Sequence, residues 1–230
     1  ELESLGAELR LGPDYLRGLD QDVIFRTPGL RPDVPELLSA QAKGSMITSE
    51  MEAFFQVCPC HTIGVTGSDG KTTTTTIIAS LLKAAGYHTF VGGNIGRPLL
   101  ADADGMEPDD WAVLELSSFQ LMTMDLSPEI AVVTNLAPNH LDVHTSMEEY
   151  TAAKKNIFLH QGTADRAVFN YDNEITREFL EETPGRAVSF SLRQELSQGV
   201  YGKDGAIWVA NDQGRRSVLP LDGILLPGEH

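Results

Sequence analysis

Between His61 and Ser191 the chain alternates short apolar runs with longer stretches of mixed polarity. Thr62-Ile63-Gly64-Val65, residues 88–91, Trp111-Ala112-Val113-Leu114-Glu115-Leu116, Ile130-Ala131-Val132-Val133-Thr134, residues 167–170 and residues 187–191 predict strands. Residues 71–85 (stopped by Gly86), 146–159 and 173–182 predict the helices between them. Ser146 and Glu149 carry the spacing of a capping box at the start of the second of these. Strands that are apolar at nearly every position are buried on both sides, which points to a parallel sheet with helices on both faces. After residue 198 the pattern changes. Gly202-Lys203-Asp204-Gly205 and Asn211-Asp212-Gln213-Gly214 are turn signals between short alternating runs, so residues 199–219 read as an antiparallel meander at the sheet edge.

The stretch before His61 alternates too, but with fewer elements. Residues 22–26 predict a strand stopped by Thr27-Pro28-Gly29, and Pro35 opens a helix to Lys43 that Gly44 stops. A strand over 45–48 and a short helix through Phe55 follow, and Cys58-Pro59-Cys60 reads as a linker. A chain of 230 residues amounts to about one and a half domains at roughly 150 residues each. The boundary is expected at the linker, with residues 1–58 part of an N-terminal domain and 59–230 part of a central one. No internal repeat is evident.

Charge narrows the partners. The net charge of −16 is spread along the chain and forms no tail. Such a surface repels nucleic-acid phosphates and anionic lipid. An anionic small ligand then needs a local device that reverses the field, such as a helix N-terminus or a metal. No apolar run approaches the roughly 18 residues of a membrane span, and Glu1-Leu2-Glu3-Ser4 has no signal pattern. No membrane insertion and a cytoplasmic location are expected. The two cysteines have C-x-C spacing, which fits neither a zinc ribbon nor a thioredoxin motif, so reduced structural thiols are expected.

The candidate chemistry centres on Gly67-Ser68-Asp69-Gly70-Lys71-Thr72-Thr73, between a predicted strand and a predicted helix. Glycines let backbone amides turn toward an anion, the helix N-terminus adds partial positive charge, Lys71 can reach terminal phosphates and the Thr72 hydroxyl can ligate magnesium. The usual spacing would put glycine where Val65 stands, so this is a variant phosphate loop; a glycine-rich turn with a chance Lys-Thr is the alternative. Other polar residues fall just past strand ends, where an open parallel sheet places its ligands. Glu115 lies among Val113, Leu114 and Leu116 and needs a partner or a metal; a satisfied strand-end carboxylate is its plain reading. Gly92-Gly93-Asn94-Ile95-Gly96 is either a turn or a backbone cradle that offers an amide. Asn135 and His140 follow another strand. Lys154 has Met147, Tyr150, Ile157 and Phe158 on its helical face, whereas Lys155 sits on the wetter one. Lys154 is therefore either a snorkelling stem or a buried amine with a task.

Taken in order, Thr66 through Thr73, Gly93-Asn94-Ile95-Gly96, Glu115-Leu116-Ser117-Ser118-Phe119-Gln120-Leu121, His140-Leu141-Asp142, and Tyr150 with Ala152-Ala153-Lys154 resemble the Mur ligases. Within that family the Gly93–Gly96 and Glu115–Gln120 runs are similar to the branch that adds D-glutamate. The resemblance implies a central ATPase domain preceded by part of a Rossmann-like, UDP-substrate-binding domain. It implies an ATP-dependent ligase of peptidoglycan synthesis that joins D-glutamate to UDP-N-acetylmuramoyl-L-alanine through an acyl-phosphate. By resemblance, the loop from Gly67 to Thr73 holds ATP, with Lys71 on the phosphates. Thr72 and Glu115 bind one magnesium, and His140 serves a second magnesium and the acyl centre. Lys154 matches a carbamylated lysine, and Gly29, Asn94 and Gln120 match contacts to the UDP-sugar. Asn139 stands where relatives place an aspartate and receives no metal role. The resemblance also implies that a uridine-binding turn precedes Glu1 and that a glutamate-binding domain is absent. On that basis the polypeptide alone is expected to be inactive, and monomeric. A different Mur-type or folylpolyglutamate-type ligase, or a P-loop module without ligase chemistry, remains the alternative.

Overall fold

The computed structural model describes residues 2–138, 144 and 146–224. In chain order its elements are β1 (Val23–Phe25), α1 (Pro35–Ala42), β2 (Met46–Thr48), α2 (Glu50–Val57), β3 (His61–Thr66), α3 (Lys71–Ala84), β4 (Thr89–Gly93), β5 (Trp111–Glu115), α4 (Ser118–Leu121), β6 (Ile130–Val133), α5 (Met147–Leu159), β7 (Arg166–Asn170), α6 (Glu174–Glu178), β8 (Arg186–Ser191), β9 (Gly199–Lys203), β10 (Ala206–Asn211) and β11 (Gly214–Pro220).

Alternation along the strands builds two cores, one on each face of the main sheet. Ile63, Val65, Val113 and Val132 turn to one face and pack with Ile78, Ala79 and Leu82 of α3. Ala112, Leu114, Ala131, Val133 and Phe169 turn to the other and pack with Ile157 and Phe158 of α5. That second core also takes Met51 and Phe54 of α2, which lies on the N-terminal side of the boundary expected at residue 58.

The main sheet has the strand order β11-β10-β9-β8-β7-β6-β3-β5-β4. Strands β3 to β9 pair in parallel, and β10 and β11 pair antiparallel at one edge. The expected meander is therefore present as the end of the same sheet. The strand expected over 88–91 runs instead from Thr89 to Gly93, because Gly92 and Gly93 pair with Leu114 and Glu115. β1 and β2 form a separate parallel pair. Among the described residues no helix is long and apolar enough to cross a membrane.

One buried cation joins the two parts. Arg26 is 4% exposed and donates to the carbonyl oxygens of Leu30 (2.6 Å), Thr27 (3.2 Å) and Pro28 (3.3 Å), which curls the turn carrying Gly29 around it. Its other guanidinium nitrogen donates to Thr123 Oγ1 at 2.9 Å, just past α4.

Candidate phosphate and metal site

The site is built at the carboxyl ends of β3, β4, β5 and β6. β3 ends at Thr66 and α3 begins at Lys71, so residues 67–70 make the whole turn. Gly67 has φ +153°, and a Cβ there would overlap the Thr134 hydroxyl, so the loop runs too close to β6 for any side chain. The segment after β6 fastens it. Asn135 O accepts the Ser68 N–H at 3.0 Å and Asn135 Oδ1 accepts the Asp69 N–H at 2.9 Å. Thr134 Oγ1 donates to Asp69 O at 2.6 Å, and Ser68 Oγ donates to Ala137 O at 3.0 Å.

α3 begins without a side-chain cap, which leaves first-turn N–H groups to face a ligand. Its run of threonines stays helical partly by bonding backward: Thr76 Oγ1 donates to Thr72 O at 2.8 Å. Lys71 curls over the loop and donates to Gly67 O and Ser68 O, each at 3.0 Å.

Glu115 ends β5 and is 2% exposed. Its Oε2 accepts the Thr72 hydroxyl at 2.6 Å, and its Oε1 accepts Asn94 Nδ2 at 2.8 Å. Gly93 has φ +93° and sits so close to the Glu115 carbonyl that a Cβ would overlap it. This turn lets the Asn94 N–H reach Glu115 O at 2.7 Å. The Thr72 hydroxyl and the Glu115 carboxylate are hard oxygen donors of the kind magnesium takes. Among the described residues no group of three His, Cys, Asp or Glu could hold a metal, so a cation here would rest on this mixed set.

Lys154 faces inward as its helical position requires, 2% exposed, while Lys155 reaches Glu182 at 2.7 Å near the surface. The Lys154 ammonium donates to Thr66 Oγ1 and Gly67 O, each at 3.0 Å, and lies 4.9 Å over the Tyr150 ring. Burial, with the nearby Lys71 charge, pushes its pKa down to about 7 against the opposing pull of Glu115.

Lys71, Thr72, Asn94, Glu115 and Lys154 thus converge on one sheet edge with the loop from Gly67 to Thr73. Gln120 lies nearby in α4, where its Oε1 accepts the Ser117 N–H at 3.0 Å and the side chain closes a capping box. Gly29 lies in the exposed turn that Arg26 gathers. His140 and Asn139 lie outside the described residues. Three contributors were not singled out from the sequence: Thr66 as the lysine's acceptor, Thr134 as a loop brace, and Arg26. The S-x-x-Q spacing at Ser117 was a readable signal for α4.

A family model for the Mur ligase middle domain matches residues 65–213, which include every one of the converging residues above. The chain belongs to the Mur ligase family. Curated relatives of this Mur ligase chain are UDP-N-acetylmuramoylalanine–D-glutamate ligases. That of Ruminiclostridium cellulolyticum is 50% identical, and that of Clostridium botulinum strain Langeland is 54% identical, each over the full chain and 50% of the relative. The chain spans about half the length of the curated relatives it matches. Solved Mur ligases share its fold. A UDP-N-acetylmuramoyl-L-alanyl-D-glutamate–2,6-diaminopimelate ligase superposes with TM-score 0.58 at 19% identity, over 91% of this chain and 59% of the other. MurF ligase from Thermotoga maritima, solved with ADP, gives 0.54 at 22% identity, over 86% and 48%.

Proposed function

We propose that this chain is the nucleotide-handling part of an ATP-dependent ligase that joins D-glutamate to UDP-N-acetylmuramoyl-L-alanine in the cytoplasm. The observation that carries the proposal is the contact of Thr72 and Asn94 with the buried Glu115, set beside a phosphate loop and two lysines. Roughly half-identity along the whole chain to ligases of that name supports the substrate class. The division expected at residue 58 belongs to the same proposal, with the earlier residues serving the UDP-substrate.

In this reading the first-turn amides of α3 and the Lys71 ammonium hold the β- and γ-phosphates. Thr72 and Glu115 would hold magnesium, which fits their oxygen donors and supplies positive charge against the phosphates. The alanyl carboxylate attacks the γ-phosphorus, forming an acyl-phosphate and releasing ADP. The amine of D-glutamate then adds to the acyl carbon, and phosphate leaves as the amide forms and the amine proton departs. Phosphoryl transfer of this kind needs positioning and charge compensation rather than covalent help from the protein. Lys154, with its pKa near 7, offers a neutral amine that can add to carbon dioxide: R–NH₂ + CO₂ gives R–NH–COO⁻ and a proton. The product is an anionic oxygen donor beside the loop. His140 is assigned by resemblance to the acyl centre, and Gly29, Asn94 and Gln120 to the UDP-sugar.

The test uses a protein of the relatives' full length that carries this sequence, with phosphate release and amide formation both measured. Release that requires UDP-N-acetylmuramoyl-L-alanine and D-glutamate together supports the assignment. Release with another amino acid instead of D-glutamate overturns the substrate, and nucleotide binding without amide formation overturns the ligase.

A further inference from the structure

At the opposite end of β3 from the phosphate loop, the Cys60 sulfur touches two others, those of Cys58 and Met106. Cys58 caps the C-terminus of α2, Cys60 directly precedes β3, and Met106 follows the short helical turn Leu100–Gly105. Cys58 Sγ and Cys60 Sγ are 3.5 Å apart, and Cys60 Sγ is 3.8 Å from Met106 Sδ. Both thiols are free and half-buried, while Met106 is 5% exposed.

We propose that Cys58, Cys60 and Met106 form a three-sulfur site for a soft monovalent cation of the copper(I) class. Metal–sulfur bonds of about 2.3 Å in a trigonal plane set sulfur–sulfur edges near 4 Å, so the Cys58–Cys60 and Cys60–Met106 edges need to widen by only a few tenths of an ångström, and a bound ion would bring Cys58 and Met106 to the same separation. Two thiols and a thioether are the donors that select copper(I); a thioether is a poor ligand for harder ions. Burial, with the neighbouring Cys58 and the Asp110 charge, pushes the Cys60 thiol up to about 12. The Cys60 thiol is therefore protonated at neutral pH and a poor nucleophile, and its proton leaves only when a cation replaces it. Ligation is Cu⁺ plus two S–H groups and one thioether, giving one bis-thiolate, thioether-bound ion and two released protons. The ion would tie the end of α2, the start of β3 and the approach to β5 into one unit. It would sit about 20 Å from the phosphate loop, the length of a six-residue strand at roughly 3.3 Å per residue.

The experiment titrates the reduced 230-residue chain, without oxygen, with copper(I) against a chromophoric copper(I) chelator. Capture of one equivalent, with affinity rising about 10- to 100-fold per pH unit, is expected. Met106→Leu keeps the packing volume and should weaken capture by roughly 10-fold, and Cys58→Ser with Cys60→Ser should abolish it. Circular dichroism melts check that both variants fold; should the double variant not fold, Met106→Leu and the pH slope decide. No capture, capture unchanged in Met106→Leu, a flat pH response, or zinc(II) held as tightly as copper(I) would each overturn the site.

Discussion

Thr72 and Glu115, 43 residues apart in the chain, share a hydrogen bond of 2.6 Å. The threonine stands in the first turn of α3 and the carboxylate ends β5, so the bond closes the crevice between helix and sheet. A buried carboxylate held by one hydroxyl and one amide, with no ion pair among the described residues, is a costly arrangement for stability alone. Its position suits a cation better than it suits the fold.

Glu115→Gln should therefore separate binding from folding. The variant keeps a polar group between Thr72 and Asn94, so its stability should stay within about 1 kcal/mol of the parent in urea unfolding. Calorimetric titration should show magnesium–ATP binding weakened roughly 10- to 100-fold. Titration with ATP in a chelator should show no such loss. Equal losses in both titrations would remove Glu115 from the metal.

Lys71→Ala deletes the ammonium that lies over the loop carbonyls. Those bonds are local to the loop, so the melting temperature should barely move. Magnesium–ATP affinity should fall at least about 10-fold, the effect of losing one charge-assisted contact of roughly 1.5–3 kcal/mol. An unchanged affinity would mean that the loop does not hold the terminal phosphates.

Lys154 makes a prediction about pH. Its pKa is about 7 in the folded chain and near 10.5 when exposed. Between those values the unfolded chain binds more protons than the folded one, so this group makes stability rise with pH across that window. Below pH 7 the cost of the buried charge, a few kcal/mol, is fully present. Lys154→Met removes the titration. In carbon dioxide-free buffer its stability relative to the parent should be highest near pH 6 and should decline steadily toward pH 10. A difference that does not vary with pH would show that the amine is not strained.

Asn135→Ala tests the brace. The backbone bond to Ser68 survives, but the Asp69 N–H loses its acceptor, at a cost of about 1 kcal/mol. Amide exchange at Asp69 should quicken, and magnesium–ATP should bind more weakly though Asn135 lies outside the ligand contacts assigned above. Unchanged exchange at that amide would show that the loop holds itself.

Much of this arrangement can be read along the chain. The central parallel strands β3, β5 and β6 show because each is buried on both sides, and the inward turn of Lys154 shows because Tyr150, Ile157 and Phe158 share its helical face. What could not be read depends on closure between distant segments. Nothing near Arg26 announces that its guanidinium will reach Thr123, 97 residues on. Nothing near Asn135 says that its amide will fasten Asp69. Gly92 and Gly93 read as a turn because glycine is a poor strand former, yet pairing with Leu114 and Glu115 drew them into β4. The Ser146 cap formed as expected, while the Glu149 carboxylate is taken up at 2.8 Å by Arg31 from the N-terminal segment.

Val65, Glu115 and Gly93 occupy one rung of the sheet. Side chains alternate faces along a strand, so a slip of β5 by one residue would bring Leu114 or Leu116 to that rung and turn Glu115 away from Asn94 and Thr72. The same slip would press the leucines on either side of it toward α3 and unseat them from the opposite core. A chain that folded out of register would lose its packing and the Glu115 bonds to Thr72 and Asn94 together. The carboxylate therefore works as a proofreading mark, since a chain able to bring Thr72 and Asn94 to Glu115 is one whose central strands have been aligned correctly.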